Sequence, residues 1–317
     1  MTSSLRIAYA GTPEFAVPAL KALIDSPHEL VCVITQPDRP AGRGRKISES
    51  AVKMQTNVTN VPIFQPQNIN DQSSMEYLQA LQCDLMVVAA YGQLFKQPLL
   101  EMPKYGCINI HASLLPRWRG ASPIQHAILH GDASSGVTIM QMAQKMDAGD
   151  IWQQSSCEIE PQDTAQSLHD RLAELGGECL LSAIDQVVDE EIAALPQDSQ
   201  SVEYCGKLQK SDGLIDWSRE AVHIERQIRA LFPWPRAYTY LNGKRLGILS
   251  ASLKDPEHRS TEYGKIILAD KTGLWVSTTQ GCVSLERVIL EGGKAMMAAE
   301  FCHAHSILNQ QLSDEAC

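Results

Sequence analysis

A chain of 317 residues with 44% apolar and 20% charged side chains is long enough for one large and one small domain. Its net charge of −10 argues against a protein that coats nucleic acid with a uniformly basic surface, so any such contact must be local. The longest apolar runs, such as residues 85–91, are too short to span a bilayer, and no signal peptide opens the chain, so a cytoplasmic protein with no membrane partner is expected.

Strand-like and helix-like segments alternate through the first half. Residues 5–10 are a compact apolar run, broken by Gly11-Thr12-Pro13, and residues 14–24 follow with helical spacing of Phe15, Pro18-Ala19, Leu23 and Ile24. Residues 30–35, 61–64, 84–90 and 107–110 are further short apolar runs between turn signals. Strands separated by helical stretches predict an α/β fold, Rossmann-like, with a mostly parallel sheet buried on both faces. Two more strands are expected at 136–142 and 151–156, joined by a loop at 145–150. Residues 164–192 then show long helical periodicity through Leu168, Leu172, Leu175, Leu180 and Leu181.

A polar, broken stretch at 193–206 reads as a linker, and the texture changes beyond it. A helix is predicted at 221–231, stopped by Phe232-Pro233-Trp234-Pro235. Short alternating strands follow at 237–241, 245–251, 264–268, 274–278 and 283–290, with Asn242-Gly243 as a hairpin signal. This predicts a small carboxyl-terminal β-barrel, OB-like, and a chain divided as 1–192, 193–206 and 207–317. Residues 1–205 hold 13 Lys and Arg against 24 Asp and Glu, while residues 206–317 hold 14 against 13. The nine cysteines include no C-x-x-C pair; their odd count and scattered spacing argue against a disulfide framework, and no metal site is expected.

The chemistry gathers at Asn109-Ile110-His111-Ala112-Ser113-Leu114-Leu115-Pro116, which closes an apolar strand. On a strand, Asn109 and His111 point to one side, so an amide donor and an imidazole can reach one carbonyl oxygen. His126, His130 and His169 have no such neighbour and read as structural. Asp147, in Met146-Asp147-Ala148-Gly149-Asp150, is either a plain turn former or a carboxylate that orients His111 or collects a proton from an attacking amine. Spacing does not choose between these roles. Such a trio handles acyl transfer without a metal, a phosphate loop or a nucleophilic Ser. Gly11-Thr12-Pro13-Glu14 lacks the G-x-G-x-x-G pattern, which disfavours a dinucleotide cofactor.

The loop Gln36-Pro37-Asp38-Arg39-Pro40-Ala41-Gly42-Arg43-Gly44-Arg45-Lys46 carries a basic island of Arg39, Arg43, Arg45 and Lys46 in an acidic half. Pro and Gly make it a protruding segment suited to phosphate contacts. Lys207, Lys210, Arg226, Arg229, Arg236, Lys244, Arg245 and Lys294 could form a second phosphate-facing surface, although acids are interleaved. Trp217, Phe232, Trp234 and Tyr238 read as core rather than as a stacking platform.

Taken together, these residues resemble the methionyl-tRNA formyltransferases of the folate-dependent formyltransferase superfamily. The matching pieces run from Ala10-Gly11-Thr12-Pro13-Glu14-Phe15 through the basic loop, Ala90-Tyr91-Gly92, residues 109–120 and Asp147-Ala148-Gly149-Asp150 to Ile215-Asp216-Trp217 and Pro233-Trp234-Pro235. The resemblance implies that the amine of methionine on initiator tRNA attacks the formyl carbon of 10-formyltetrahydrofolate. It implies that Asn109 and His111 stabilise the oxyanion, that Asp147 holds His111, and that Gly92, Gln93, Leu94, Phe95, Ser113, Leu114, Leu115 and Pro116 line the folate pocket. Arg43, with Arg39, Arg45 and Lys46, would engage the acceptor end of the tRNA, and the β domain with Lys207 the inside of the L. A monomer suffices for this arrangement. Ala112 stands where many relatives carry Gly. Rival acceptors are a nucleotide-sugar amine, glycinamide ribonucleotide or water, and a protein that only binds tRNA is a rival of another class.

Overall fold

A computed structural model of the chain describes residues 4–41, 46–189 and 192–315. They form two compact units. The first comprises Met1–Pro123, Ser134–Glu158 and His169–Cys205; the second comprises Ile124–Ala133, Ile159–Leu168 and Gly206–Cys317.

Seven strands build the main sheet of the first unit: β1 (Arg6–Gly11), β2 (Glu29–Ile34), β3 (Ile63–Phe64), β4 (Leu85–Ala89), β5 (Cys107–His111), β6 (Ser134–Gln141) and β7 (Ile151–Glu158). They lie in the order β7-β6-β5-β4-β1-β2-β3. The five strands β1 to β5 pair in parallel, and β6 and β7 add an antiparallel edge. Every residue of β4 is buried, and in β1 only Arg6 is exposed, as the unbroken apolar runs of a parallel sheet require. From β1 the chain runs outward through β2 to β3, then returns to the other side of β1 as β4. Strand order therefore reverses between β1 and β4, which opens a crevice at their carboxyl ends.

A 3-10 turn at Glu14–Ala16 leads into α1 (Val17–Ile24), where Pro18 occupies the first turn and forfeits no helical hydrogen bond. Two helices without strong periodicity, α2 (Ala51–Thr56) and α3 (Gln72–Ala80), start at Ser50 and Asp71, whose side chains accept from the backbone N–H of Lys53 and Ser74. These bonds hold the Asp71 carboxyl below the usual carboxylate range. After α4 (Pro123–His130) comes the long α5 (Ala165–Val188), which falls within the helix expected at 164–192. Gly176 of α5 lies so close to the sheet that a Cβ there would stand 2.9 Å from Ile110 Cγ2. Ile110 therefore faces α5, and Cys107, Asn109 and His111 occupy the opposite face of β5.

The basic loop has regular arms: Arg39–Ala41 pairs antiparallel with Lys46–Ser48. Gly42, Arg43, Gly44 and Arg45 lie outside the described residues. Of the stretch 193–206, residues up to Cys205 count with the first unit. Leu195 bridges Ile151, and Tyr204–Cys205 pairs in parallel with Arg119–Gly120.

In the second unit, β8 (Ala237–Leu241), β9 (Lys244–Arg259), β10 (Ile266–Asp270), β11 (Gly273–Ser277) and β12 (Gln280–Leu290) form an antiparallel sheet ordered β8-β9-β12-β11-β10, and β13 (Ala295–Met297) pairs with β12. Asn242 at φ 50° and Gly243 at φ 72° supply the left-handed pair of the β8–β9 turn. The carboxyl-terminal segment bridges both edges of this sheet, Ser313 to Tyr240 of β8 and Gln311 to Lys265 just before β10, and the antiparallel strands expected for this domain are present. Helix α6 (Ala221–Ala230) buries Ile224 and Ile228 in a core with Ile248, Val276, Val288 and Phe301. Trp217 is buried and donates to Thr239 Oγ1 at 3.0 Å, but Trp234 is 52% exposed and so departs from the core reading of the aromatic cluster. Among the described residues no helix is long and apolar enough to cross a membrane.

Candidate active site

The site begins at the end of β5. His111 is 6% exposed, and its Nε2 lies 2.9 Å from the carbonyl oxygen of Trp118. A carbonyl can only accept, so Nε2 carries a hydrogen and donates it. The other ring nitrogen, Nδ1, is then the one available for chemistry. It faces Asp147, with Oδ1 at 3.8 Å. Asn109, two residues back on the same face, is half-buried.

Asp147 is held from two directions. Its Oδ2 accepts from the backbone N–H of Gly120 at 2.9 Å, and its carbonyl accepts from Gln197 Nε2 at 3.0 Å. The residue sits at φ 50°, a left-handed conformation uncommon for a residue other than glycine. At Gly149 a Cβ would come within 1.7 Å of the Gln141 carbonyl oxygen, so the turn closes against the end of β6 only with glycine there.

Strands β6 and β7 shape the segment after His111. Thr138 Oγ1 donates to the Ser113 carbonyl at 2.6 Å and accepts from Leu115 N at 3.1 Å and Gln154 Nε2 at 2.9 Å. Gln154 also donates to the Leu115 carbonyl at 2.8 Å. Ser113 and Leu115 are buried, whereas Leu114 and Pro116 are partly exposed. Neither Thr138, within the family-like run 136–142, nor Gln154 was given a role from the sequence, where both fall in expected strands.

The loop after β4 lies beside this segment, because β4 pairs with β5 and Val88 faces Asn109 in the register. Gly92 stands at φ 94°. Gln93 reaches away to the 67–69 backbone, accepting from Ile69 N at 2.8 Å and donating to the Gln67 carbonyl at 3.2 Å. Phe95 is buried edge-on to Tyr91 with centroids 5.9 Å apart, while Leu94 is 70% exposed. Burial also pushes the Tyr91 hydroxyl well above its ordinary range.

The basic hairpin connects to the same loop. Exposed Arg39 donates to Gln36 Oε1 at 3.2 Å, and Gln36 donates to the Tyr91 carbonyl at 3.2 Å. Below it, Asp38 takes Lys53 at 2.6 Å and Gln65 at 2.8 Å, which holds the Asp38 carboxyl below the usual carboxylate range. Arg43 and Arg45 lie outside the described residues; the backbone of Lys46 pairs with Ala41. Lys207 is exposed in the second unit, where Arg229 is taken up by Glu225 and by the Asp163 carbonyl, and Arg245 lies 3.6 Å over the Tyr238 ring. Among the described residues no group of His, Cys, Asp and Glu is arranged to hold a metal ion.

An amide, an imidazole with one committed nitrogen and a carboxylate at a strand end can stabilise a developing oxyanion and carry a proton between two nitrogens. The comparisons with known proteins agree with such chemistry. A profile of the formyl transferase family matches residues 5–184, and one of the formyl transferase carboxyl-terminal domain matches residues 207–306. A methionyl-tRNA formyltransferase of Hydrogenovibrio crunogenus is 46% identical over 314 residues, 98% of this chain and 100% of that protein. One of Pseudomonas fluorescens is 47% identical over 296 residues, 93% and 92% of the two chains. Among solved structures, the N-formyltransferase of Helicobacter canadensis in complex with folinic acid and dTDP-3-aminofucose shares the fold. Its TM-score is 0.66 at 17% identity, covering 89% of this chain and 98% of that one.

Proposed function

Because this chain belongs to the methionyl-tRNA formyltransferase family, we propose that its site moves the formyl group of 10-formyltetrahydrofolate onto the α-amine of methionyl initiator tRNA. The amine nitrogen bonds to the formyl carbon, the carbon–N10 bond breaks, one proton leaves the amine and one reaches N10. Asn109 donates to the oxygen that becomes negative, and His111 stabilises it and moves the proton through Nδ1. Asp147 orients that imidazole and receives the proton the amine sheds. The observation that supports this most is the single free ring nitrogen of His111 facing Asp147 at the end of the strand that carries Asn109.

The folate is taken by the loop of Gly92, Gln93, Leu94 and Phe95 and by residues 113–116, where Leu114 and Pro116 are the partly exposed members. Arg39, Arg43, Arg45 and Lys46 hold the acceptor end of the tRNA, and Lys207 with the carboxyl-terminal barrel holds its body. Residues 1–192 act as the catalytic domain and 207–317 as the tRNA-binding domain. The product feeds translation initiation, and the protein works as a cytoplasmic monomer.

The direct test supplies 10-formyltetrahydrofolate with charged initiator tRNA, an amino-sugar nucleotide or water as acceptor. Formylation of the tRNA alone is expected, and it is lost in His111→Ala. Preference for the sugar or for water would overturn the reading. Within the same assay, Arg43→Ala is expected to raise the KM for tRNA on the order of tenfold and to flatten its dependence on log salt by about one unit, with the folate KM unmoved. An unchanged tRNA KM would remove the role given to the hairpin.

A further inference from the structure

We propose that Gln197 is a positioning residue for this reaction, holding the turn that carries Asp147; the inference rests on the formyl-transfer reading above. Gln197 lies in a stretch whose composition reads as a linker, yet its amide is saturated. Oε1 accepts from Arg119 Nε at 3.0 Å and from Arg119 Nη2 at 2.7 Å. Nε2 donates to the Asp147 carbonyl at 3.0 Å and to the Gly149 carbonyl at 2.7 Å. A guanidinium only donates and a peptide carbonyl only accepts, so the amide has one possible orientation.

The guanidinium it receives belongs to a residue that is itself 6% exposed and fixed in the backbone ladder with Tyr204–Cys205. The next residue, Gly120, gives its N–H to Asp147 Oδ2 at 2.9 Å. Arg119 and Gly120 thus reach the aspartate twice, at its carboxylate directly and at its backbone through Gln197. Asp147 stands at φ 50°, a left-handed conformation that Asp tolerates better than most side chains, and neighbouring bonds hold it there. Gln197 provides two of those bonds, to the carbonyls on either side of Ala148. With them gone, the turn relaxes and the carboxylate leaves its place beside His111 Nδ1. A glutamate would still satisfy Arg119 but would set a proton-less oxygen against two carbonyls. An alanine would satisfy neither side.

Gln197→Glu and Gln197→Ala are to be assayed for kcat and KM separately with charged initiator tRNA, alongside thermal unfolding. Both are expected to lower kcat roughly 10- to 100-fold, the penalty of a misplaced catalytic group, with the KM for folate and for tRNA within twofold of the unmutated protein. In an Asp147→Asn background the same changes should lower kcat further by less than about twofold, because the group they aim is already disabled. Full kcat in Gln197→Glu, a loss that multiplies with Asp147→Asn, or a lowered Tm with kcat intact would overturn the assignment. Failure of the broader reading looks different: the unmutated protein would not formylate charged tRNA, and the same variants would be compared on whichever acceptor it did use.

Discussion

His111→Ala is expected to lower kcat for formyl transfer on the order of 10³-fold while the KM for folate changes little. The residue gives the transition state both a hydrogen-bond donor and a proton carrier, effects of roughly 10²- to 10⁴-fold in comparable sites. Its Nε2 is spent on the Trp118 carbonyl, so all of this chemistry passes through Nδ1. Asn109→Ala removes only a donor and should cost about 10²- to 10³-fold. Measuring both single variants and the pair separates the roles: acting on one oxygen, they should combine to less than the product of their separate losses. A kcat within a few-fold of the unmutated value for His111→Ala, in protein that unfolds normally, would contradict the mechanism.

Gly149→Ala is expected to be almost as damaging, although the residue touches no substrate in this reading. The added methyl would stand 1.7 Å from the Gln141 carbonyl oxygen, at the end of a strand held against β5 by the pairing of Gln141 with Ile108 and by the bond from Met142 N to the Cys107 carbonyl at 2.7 Å. The turn must therefore move, carrying Asp147 away from His111. A loss of about 10²-fold in kcat is expected, together with about 1 to 3 kcal/mol of stability for the overpacked contact. Single-turnover rates and chemical denaturation check the two effects independently. Unchanged chemistry in a destabilised protein would show that the turn does not set the position of Asp147.

What the sequence made legible follows from which signals are local. Asn109 and His111 are two apart on an apolar strand, and their shared face depends only on that spacing. In the second unit Ala237–Leu241 alternates as its sequence suggests, every second residue being buried. Asp147 read equally as a turn former and as a carboxylate for His111, and spacing could not choose, since the Gly120 N–H that pins its carboxylate lies 27 residues away. Gln197 was hidden more deeply. Its partners are backbone carbonyls 48 and 50 residues back and an arginine 78 back, and a polar residue among polar residues carries no trace of them. Trp217 and Trp234 looked alike as aromatic residues, yet Trp217 is buried with its indole N–H on Thr239 while Trp234 is exposed. The basic loop read correctly as Pro- and Gly-rich, but composition could not show that its arms would pair with each other, because the ladder is made by backbone groups.

The bridges at residues 311 and 313 have a use beyond architecture. A bare strand edge is a row of backbone donors and acceptors along which other chains can pair. By bonding Gln311 to Lys265 and Ser313 to Tyr240, this short segment shields both borders of the second unit's sheet from such pairing.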